Sequence, residues 1–422
     1  MRFWSSLLNG NLISSRYTLA VGAQALVSGF HFVLNLVLVR QISPYDYGTF
    51  AFAFVLAMFA QAINNALIST PLTVYTPVIK EAAQRESQER MLGFANLLFT
   101  ALLLLAGLLY IPFASLTPEI VMAVATFVGI YSARQFSRSF GYARLRPLVT
   151  ATGDVSYMFV GSIIMMVLFT TIDTIEVTHI LLALAAANSI AIVIENLLLH
   201  GSGAFKVVKR SLKGYSHIWL QSKWALVGAV TTLLMGQAHS LVIVQSYGPE
   251  AFAPLAAGAV LFGPVRVALM TWQNMVKPEM AIALDEKRAH DVRQQLLTTC
   301  GLMAAAMVGV GIVLLVAWPL IHEFLYARKY ADQPMALIVM LWAIITICSA
   351  SYTPPAAALQ AFKDFKVLAM ASVYAAVISG VSVMVLLYFL APAWTLVGIL
   401  IAEMFMLLYL ARVIVRKLER LT

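Results

Sequence analysis

The chain predicts an all-α polytopic membrane protein, with twelve spanning helices arranged as two six-helix lobes. Three observations carry that prediction: the composition, the placement of Lys and Arg, and an internal repeat. Of the 422 residues, 61% are hydrophobic and 11% charged, against about 45–50% and about 25% in soluble domains. A water-soluble interior grows too slowly with chain length to hide so much apolar surface. Lipid is therefore the solvent for most of the chain.

Segments of about 20 mostly apolar residues are long enough to cross hydrocarbon. They fall at 17–39, 48–79, 91–113, 118–138, 148–170, 177–199, 222–246, 251–276, 295–320, 335–353, 367–390 and 394–414. The second is long and carries Pro71 and Pro77 near its end, which predicts a break there. The first contains Gln24, His31 and Asn35 and no cleavage-site pattern, so it reads as a retained helix and not a leader. Ahead of it, MRFWSSLLNG puts Phe3, Trp4, Leu7 and Leu8 on one face, as an interfacial helix would.

Orientation follows from the basic residues. With the N-terminus inside, the inner segments hold 24 of the 28 Lys and Arg residues. The outer loops hold only Arg40, Arg328 and Lys329, and Arg266 lies within a span. Basic residues collect in cytoplasmic loops, and one missed span would invert every later loop. Both termini are thus expected in the cytoplasm. The net charge of +9 has the same origin, so no nucleic-acid partner is expected. The outer loops are as short as SLTP and SYGPE. They leave no room for the acidic residues that a membrane glycosyltransferase, polymerase or ligase would need there. No phosphate-cradling loop and no HExxH is present, and Cys300 and Cys348 sit in apolar runs. Neither a metal site, nor a cofactor, nor a disulfide framework is expected.

The second half echoes the first. RQISPYDYGTFAFAFVLAMF from Arg40 matches VQSYGPEAFAPLAAGAVLF from Val244, and both second-position helices end near a proline, Pro77 and Pro278. IAIVIENLLL aligns with GILIAEMFML, setting Glu195 opposite Glu403, and YARLRP precedes the fifth helix as AFKDFK precedes the eleventh. The order of these matches predicts a lobe at 1–205, a basic linker along the inner surface at 206–223, and a second lobe at 224–422. Six spans is an even number, so the repeats are parallel, and such repeats usually enclose a mid-membrane site where the halves meet.

An ionisable side chain at the centre of a spanning helix costs at least about 2.5–3.5 kcal/mol and is a functional candidate by default. Arg266 is the sharpest case, and Gly263, Met270, Gln273 and Lys277 share its helical face. That stripe leads inward with rising basic character and would suit an anionic headgroup, since guanidinium holds phosphate through two parallel hydrogen bonds. A structural pair with Glu403 is the competing reading. Uncharged polar groups gather on the helices that open each half. They are Gln24, Ser28, His31 and Asn35 in the first, Gln61, Asn64 and Asn65 in the second, and Gln237, His239 and Ser240 in the seventh. They would line a shared wet cavity or bond helix to helix. Glu403 and Glu195 are candidates for coupling protons or for structural pairs.

A first helix ending LVLVR, followed by QISPYDYG and a small-residue, aromatic second helix, resembles the Wzx-type O-antigen and exopolysaccharide flippases. These form the polysaccharide branch of the multidrug/oligosaccharidyl-lipid/polysaccharide exporter (MOP) superfamily. The resemblance covers the whole chain in topology, but its specific motif spans about residues 33–60. It implies a MATE/Wzx-like two-lobe bundle in the bacterial inner membrane, working by alternating access. The cargo it implies is an undecaprenyl-diphosphate-linked oligosaccharide, with membrane lipid, a polysaccharide polymerase and chain-length proteins as partners. Basic cavity residues of the family meet the diphosphate, and Arg266 matches them by location. The drug antiporters of the superfamily carry an acid in the first helix, which this chain lacks. The loop KEAAQRESQER also lacks the basic signature of the major facilitator family. A proton- or sodium-coupled exporter and a membrane enzyme of envelope glycan assembly remain as alternatives.

Overall fold

The computed structural model describes residues 12–114, 116–199, 212, 214–269, 272, 276, 280, 289–362 and 364–419. Among them no strand occurs. The helices are α1 (Leu12–Gln41), α2 (Pro44–Asn64), a π turn (Asn65–Ser69), α3 (Thr70–Tyr75), α4 (Ala82–Tyr110), α5 (Pro118–Ala143), α6 (Pro147–Thr171) and α7 (Val177–Leu198). Then follow α8 (Tyr215–Tyr247), α9 (Pro249–Val260), α10 (Gly263–Leu269), α11 (Ala289–Ile321), α12 (Met335–Ala361), α13 (Phe365–Phe389) and α14 (Thr395–Glu419). Eleven spans are long and apolar enough to cross a membrane, and α9 with α10 form a twelfth, bent by 58°. The expected polytopic fold is the one observed.

Two compact units form, one of residues 1–31 and 50–230, the other of Phe32–Thr49 and Thr231–Thr422. The first contains α4 against α5, α5 against α7 and α6 against α7; the second repeats the scheme with α11 against α12, α12 against α14 and α13 against α14. The inter-helix turns match as well. Arg146 N–H reaches back five residues to the Gly141 carbonyl, and Asp364 N–H reaches back five to the Leu359 carbonyl. Leu145 takes the left-handed conformation in the first of these turns (φ 57°), where glycine is the usual occupant. At the tip of the α1–α2 hairpin, a Cβ on Gly48 would come 1.8 Å from the Pro249 carbonyl oxygen. No side chain larger than hydrogen fits there.

The breaks in the second and eighth spans have local causes. Pro71 has no N–H for the Leu67 carbonyl one turn earlier. The backbone widens into the π turn just upstream, and the Tyr215 hydroxyl donates to that carbonyl at 2.8 Å. In the eighth span, Leu261 and Phe262 form a turn after α9, and Gly263 and Pro264 follow it. The carbonyls of its last turns lose intrahelical donors. Tyr326 Oη donates to the Ala257 carbonyl at 3.2 Å and Trp342 Nε1 to that of Leu255 at 2.9 Å.

Three helices outrun the expected ends, α14 among them, which continues to Glu419. α12 continues through Pro354 and Pro355 to Ala361, because a packed membrane helix tolerates proline better than a soluble one. α5 continues to Ala143, with consequences described below. The expected interfacial helix at 1–10 lies outside the described residues. Of the expected linker, 206–211 and 213 also lie outside them, and from Tyr215 the chain is already α8.

Replacing Tyr215 by Phe strands the Leu67 carbonyl. It should lower stability by about 1–3 kcal/mol in thermal unfolding of the detergent-solubilised protein. Tyr374→Phe, on an exposed stretch of α13, should leave the transition in place.

Candidate functional site

The first unit contains a buried charge cluster built from α5, α6 and α7. Arg134 and Arg138, at the inner end of the expected fourth span and counted there among the inner charges, lie inside α5, and Arg134 is 1% exposed. They stand four residues apart, hence on one helical face, and that face meets Asp154 of α6. Arg134 Nη2 donates to Asp154 Oδ1 at 2.6 Å, and Arg138 Nη2 to Asp154 Oδ2 at 3.0 Å. Arg138 also donates to Gln135 Oε1 at 3.0 Å and, on α1, to Gln24 Oε1 at 2.6 Å. The Arg134 guanidinium lies 4.6 Å from the Tyr157 ring centre, and the Tyr157 hydroxyl shares a hydrogen bond with His31 Nε2 at 3.2 Å. Glu195 of α7 is 1% exposed and packs against Gly153, where a Cβ would come 2.0 Å from its Oε1. Asp154 was not among the sequence-derived candidates. The penalty for an acid inside an apolar span, applied to Arg266, would have flagged it equally.

The second unit treats its arginine differently. Gln61 lies as many residues beyond Pro44 as Arg266 lies beyond Pro249, so the broken eighth span carries a cation where the second carries an amide. The Arg266 guanidinium sits 5.2 Å from the Trp342 ring centre. Glu403 and Tyr352 are its electrostatic neighbours, and it is in turn a neighbour of His239. Yet the ion pairs among the described residues do not include Arg266. The residue is exposed although α8, α12 and α14 each bring a side chain beside it. It therefore keeps exposed surface beside these side chains and is in no ion pair among the described residues. Glu403 is 5% exposed, and its Oε2 accepts no hydrogen bond.

The remaining candidates are dispersed. Asn64 is fully buried, donating to Asn96 Oδ1 at 2.7 Å and accepting from Ser69 Oγ at 2.9 Å. Asn65 opens the π turn, and Gln61 is half-buried one turn earlier. Asn35 accepts from the Tyr47 hydroxyl at 3.3 Å within the second unit, so the polar stripe of α1 is divided between the two. The Gln237 carbonyl oxygen accepts from Ser240 Oγ at 2.7 Å, and His239 is buried beside Phe252 and Trp342. Gln273 and Lys277 lie outside the described residues. No group of three or more His, Cys, Asp or Glu able to hold a metal occurs among the described residues.

What these units define is a multi-pass helical membrane fold with a neutralised charge cluster in one repeat and an open cation in the other. No family profile and no curated sequence matches the chain. Solved structures do. The lipid II flippase MurJ in an inward closed conformation is similar with a TM-score of 0.68 and 14% identity, over 96% of this chain and 90% of that one. A multidrug resistance MATE family transporter of the MOP superfamily is similar in its inward-facing form (TM-score 0.64, 11% identity, 96% and 95% covered). The outward-facing form of such a MATE transporter is similar too (TM-score 0.63, 10% identity, 99% and 98% covered). The fold is the one these MATE and MurJ structures share.

Removing Asp154 strands two buried guanidiniums. Asp154→Ala should destabilise the protein by about 3–5 kcal/mol in chemical unfolding in micelles. Arg138→Gln should cost less, since Arg134 would still neutralise the carboxylate.

Proposed function

We propose that this chain is a flippase. It would move an undecaprenyl-diphosphate-linked oligosaccharide from the cytoplasmic to the outer leaflet of a bacterial inner membrane, by alternating access, for surface polysaccharide synthesis. The observation that carries the reading is Arg266, a guanidinium set deep in an apolar span, open to a ligand and in no ion pair among the described residues. Such a group is stable only if an anion or water meets it, and a diphosphate matches its planar fork. By their spacing in the sequence, Gln273 and Lys277 would share the face of Arg266 if the helix continued. The fold likeness to a lipid II flippase supports a lipid-linked cargo. The uncharged polar residues of α1, α2 and α8 would meet sugar hydroxyls. Both termini are in the cytoplasm on this reading, and a polysaccharide polymerase with its chain-length proteins would act on the product.

The likeness to multidrug MATE transporters favours a second reading, export of small molecules coupled to protons or sodium, with Glu403 and Glu195 as the coupling groups. The two readings part on the sign of the charge next to the cargo: Arg266 suits an anion and repels the cationic drugs that an acidic site would hold.

Arg266→Ala should abolish most surface polysaccharide at unchanged protein abundance and leave lipid-linked repeat units on the inner leaflet. Arg266→Lys, which keeps the charge and loses the fork, should retain part of the activity. Immunoblotting of surface glycan, with mass spectrometry of extracted lipid-linked intermediates, reads both. Wild-type behaviour of the Ala variant would remove Arg266 from the headgroup site. Drug sensitivity with normal glycan in a deletion strain would favour the exporter.

A further inference from the structure

Trp342 of α12 touches the bent eighth span on both sides of its bend. Before the bend, its Nε1 donates to the Leu255 carbonyl of α9 at 2.9 Å. Beyond the bend of 58°, the Arg266 guanidinium of α10 lies 5.2 Å from its ring centre. The indole has little room to turn. It is 3% exposed and meets the His239 ring at 68° with the ring centres 5.7 Å apart. On its other flank a Cβ on Gly258 would come 3.4 Å from its Cδ1. A second aromatic residue of the same helix holds the nearby acid, since the Tyr352 hydroxyl donates to the Glu403 carboxylate.

Arg266 and Glu403 are electrostatic neighbours of opposite sign, yet no ion pair joins them among the described residues. Opposite charges attract most strongly where water is scarce. A guanidinium on a flexible stem therefore closes on a nearby carboxylate unless another group engages it. An aromatic face does so, because its quadrupole attracts the cation and leaves the charge in place. We propose that Trp342 is the positioning residue of Arg266: tied to α9 by its N–H, the indole keeps the guanidinium from pairing with Glu403 and so free for an anionic ligand. In this role Trp342 need not touch the cargo; it acts through Arg266. The proposal deepens the flippase reading and rests on it for the identity of the anion, whereas the separation of Arg266 from Glu403 does not depend on it.

The test reads Arg266 itself. The full chain in phosphatidylcholine nanodiscs is treated with phenylglyoxal, which adds readily to a free guanidinium and poorly to an ion-paired one, and mass spectrometry follows the rate at the Arg266 peptide. In Trp342→Leu the guanidinium should close on Glu403 and react more slowly, on the order of fivefold. Glu403→Gln in the Trp342→Leu background should return the rate to that of the wild type, a rescue that loss of packing alone would not show. Tyr352→Phe, which releases Glu403 instead, should slow the reaction in the same direction. An unchanged rate in Trp342→Leu overturns the proposal, as does a slowed rate that Glu403→Gln leaves slow. Should Trp342→Leu fail to fold, Trp342→Phe, which loses the tie to Leu255 and part of the ring face, is judged by the same two criteria. Undecaprenyl diphosphate added to the nanodiscs keeps the two readings apart, because it should protect Arg266 in the wild type. An Arg266 that it leaves unprotected counts against the flippase reading, while the outcome for Trp342 stands.

Discussion

A charge carried into hydrocarbon has to be met by an opposite charge, by water or by a ligand, and this requirement organises the interior of the protein. The cost of leaving it unmet is several kcal/mol per group even after the surroundings relax. The first unit answers it internally: one carboxylate, Asp154, serves two guanidiniums, and amides from α1 and α5 accept further hydrogen bonds from Arg138. The second unit leaves Arg266 over an indole face, with Glu403 near but not joined. A cation–π contact contributes only about 0.5–2 kcal/mol, too little to stand in for a counter-ion, and Arg266 keeps exposed surface.

The same requirement governs the backbone. Each proline that interrupts a span frees a carbonyl, and in lipid that carbonyl must find another donor. Tyr215 supplies it below Pro71, and Tyr326 supplies a donor to the Ala257 carbonyl in the last turn of α9. Aromatic side chains suit this duty, because each offers a single polar atom at the end of a body that packs among apolar neighbours. The Trp342 that donates to the Leu255 carbonyl also lies beside Arg266, so one residue both ties α12 to α9 and flanks the cation.

Repetition makes the contrast between the units informative. The helix pairings recur, and the turns before α6 and α13 close with the same reach. The glutamates that the sequence sets opposite each other do not match in place, since Glu195 lies in the last turn of α7 and Glu403 in the first half of α14. Each glutamate is buried near an arginine. What differs is the third member: Asp154 is present in the first unit, and no ion pair joins Arg266 to a described residue of the second. A duplicated scaffold has one arginine held for structure and another left open, and it is the open one that the proposed anionic cargo would use.

Spans, their count and the six-plus-six repeat were legible in the sequence, because apolar run lengths and recurring turn residues are properties of one strand of text and need no partner. The proline break of the second span was legible for the same reason, since a missing N–H is local. Arg266 could be singled out because an arginine in an apolar run is anomalous wherever its neighbours lie. Asp154 satisfied the same criterion and went unremarked, while Arg134 and Arg138, at the inner end of the expected fourth span, were counted with the inner charges although they are built into the packing of α5. Which arginine is neutralised and which is open depends on side chains from helices far apart in sequence meeting at one depth. Only the packing of α5 on α6 and α7, and of α10 among α8, α12 and α14, could decide that.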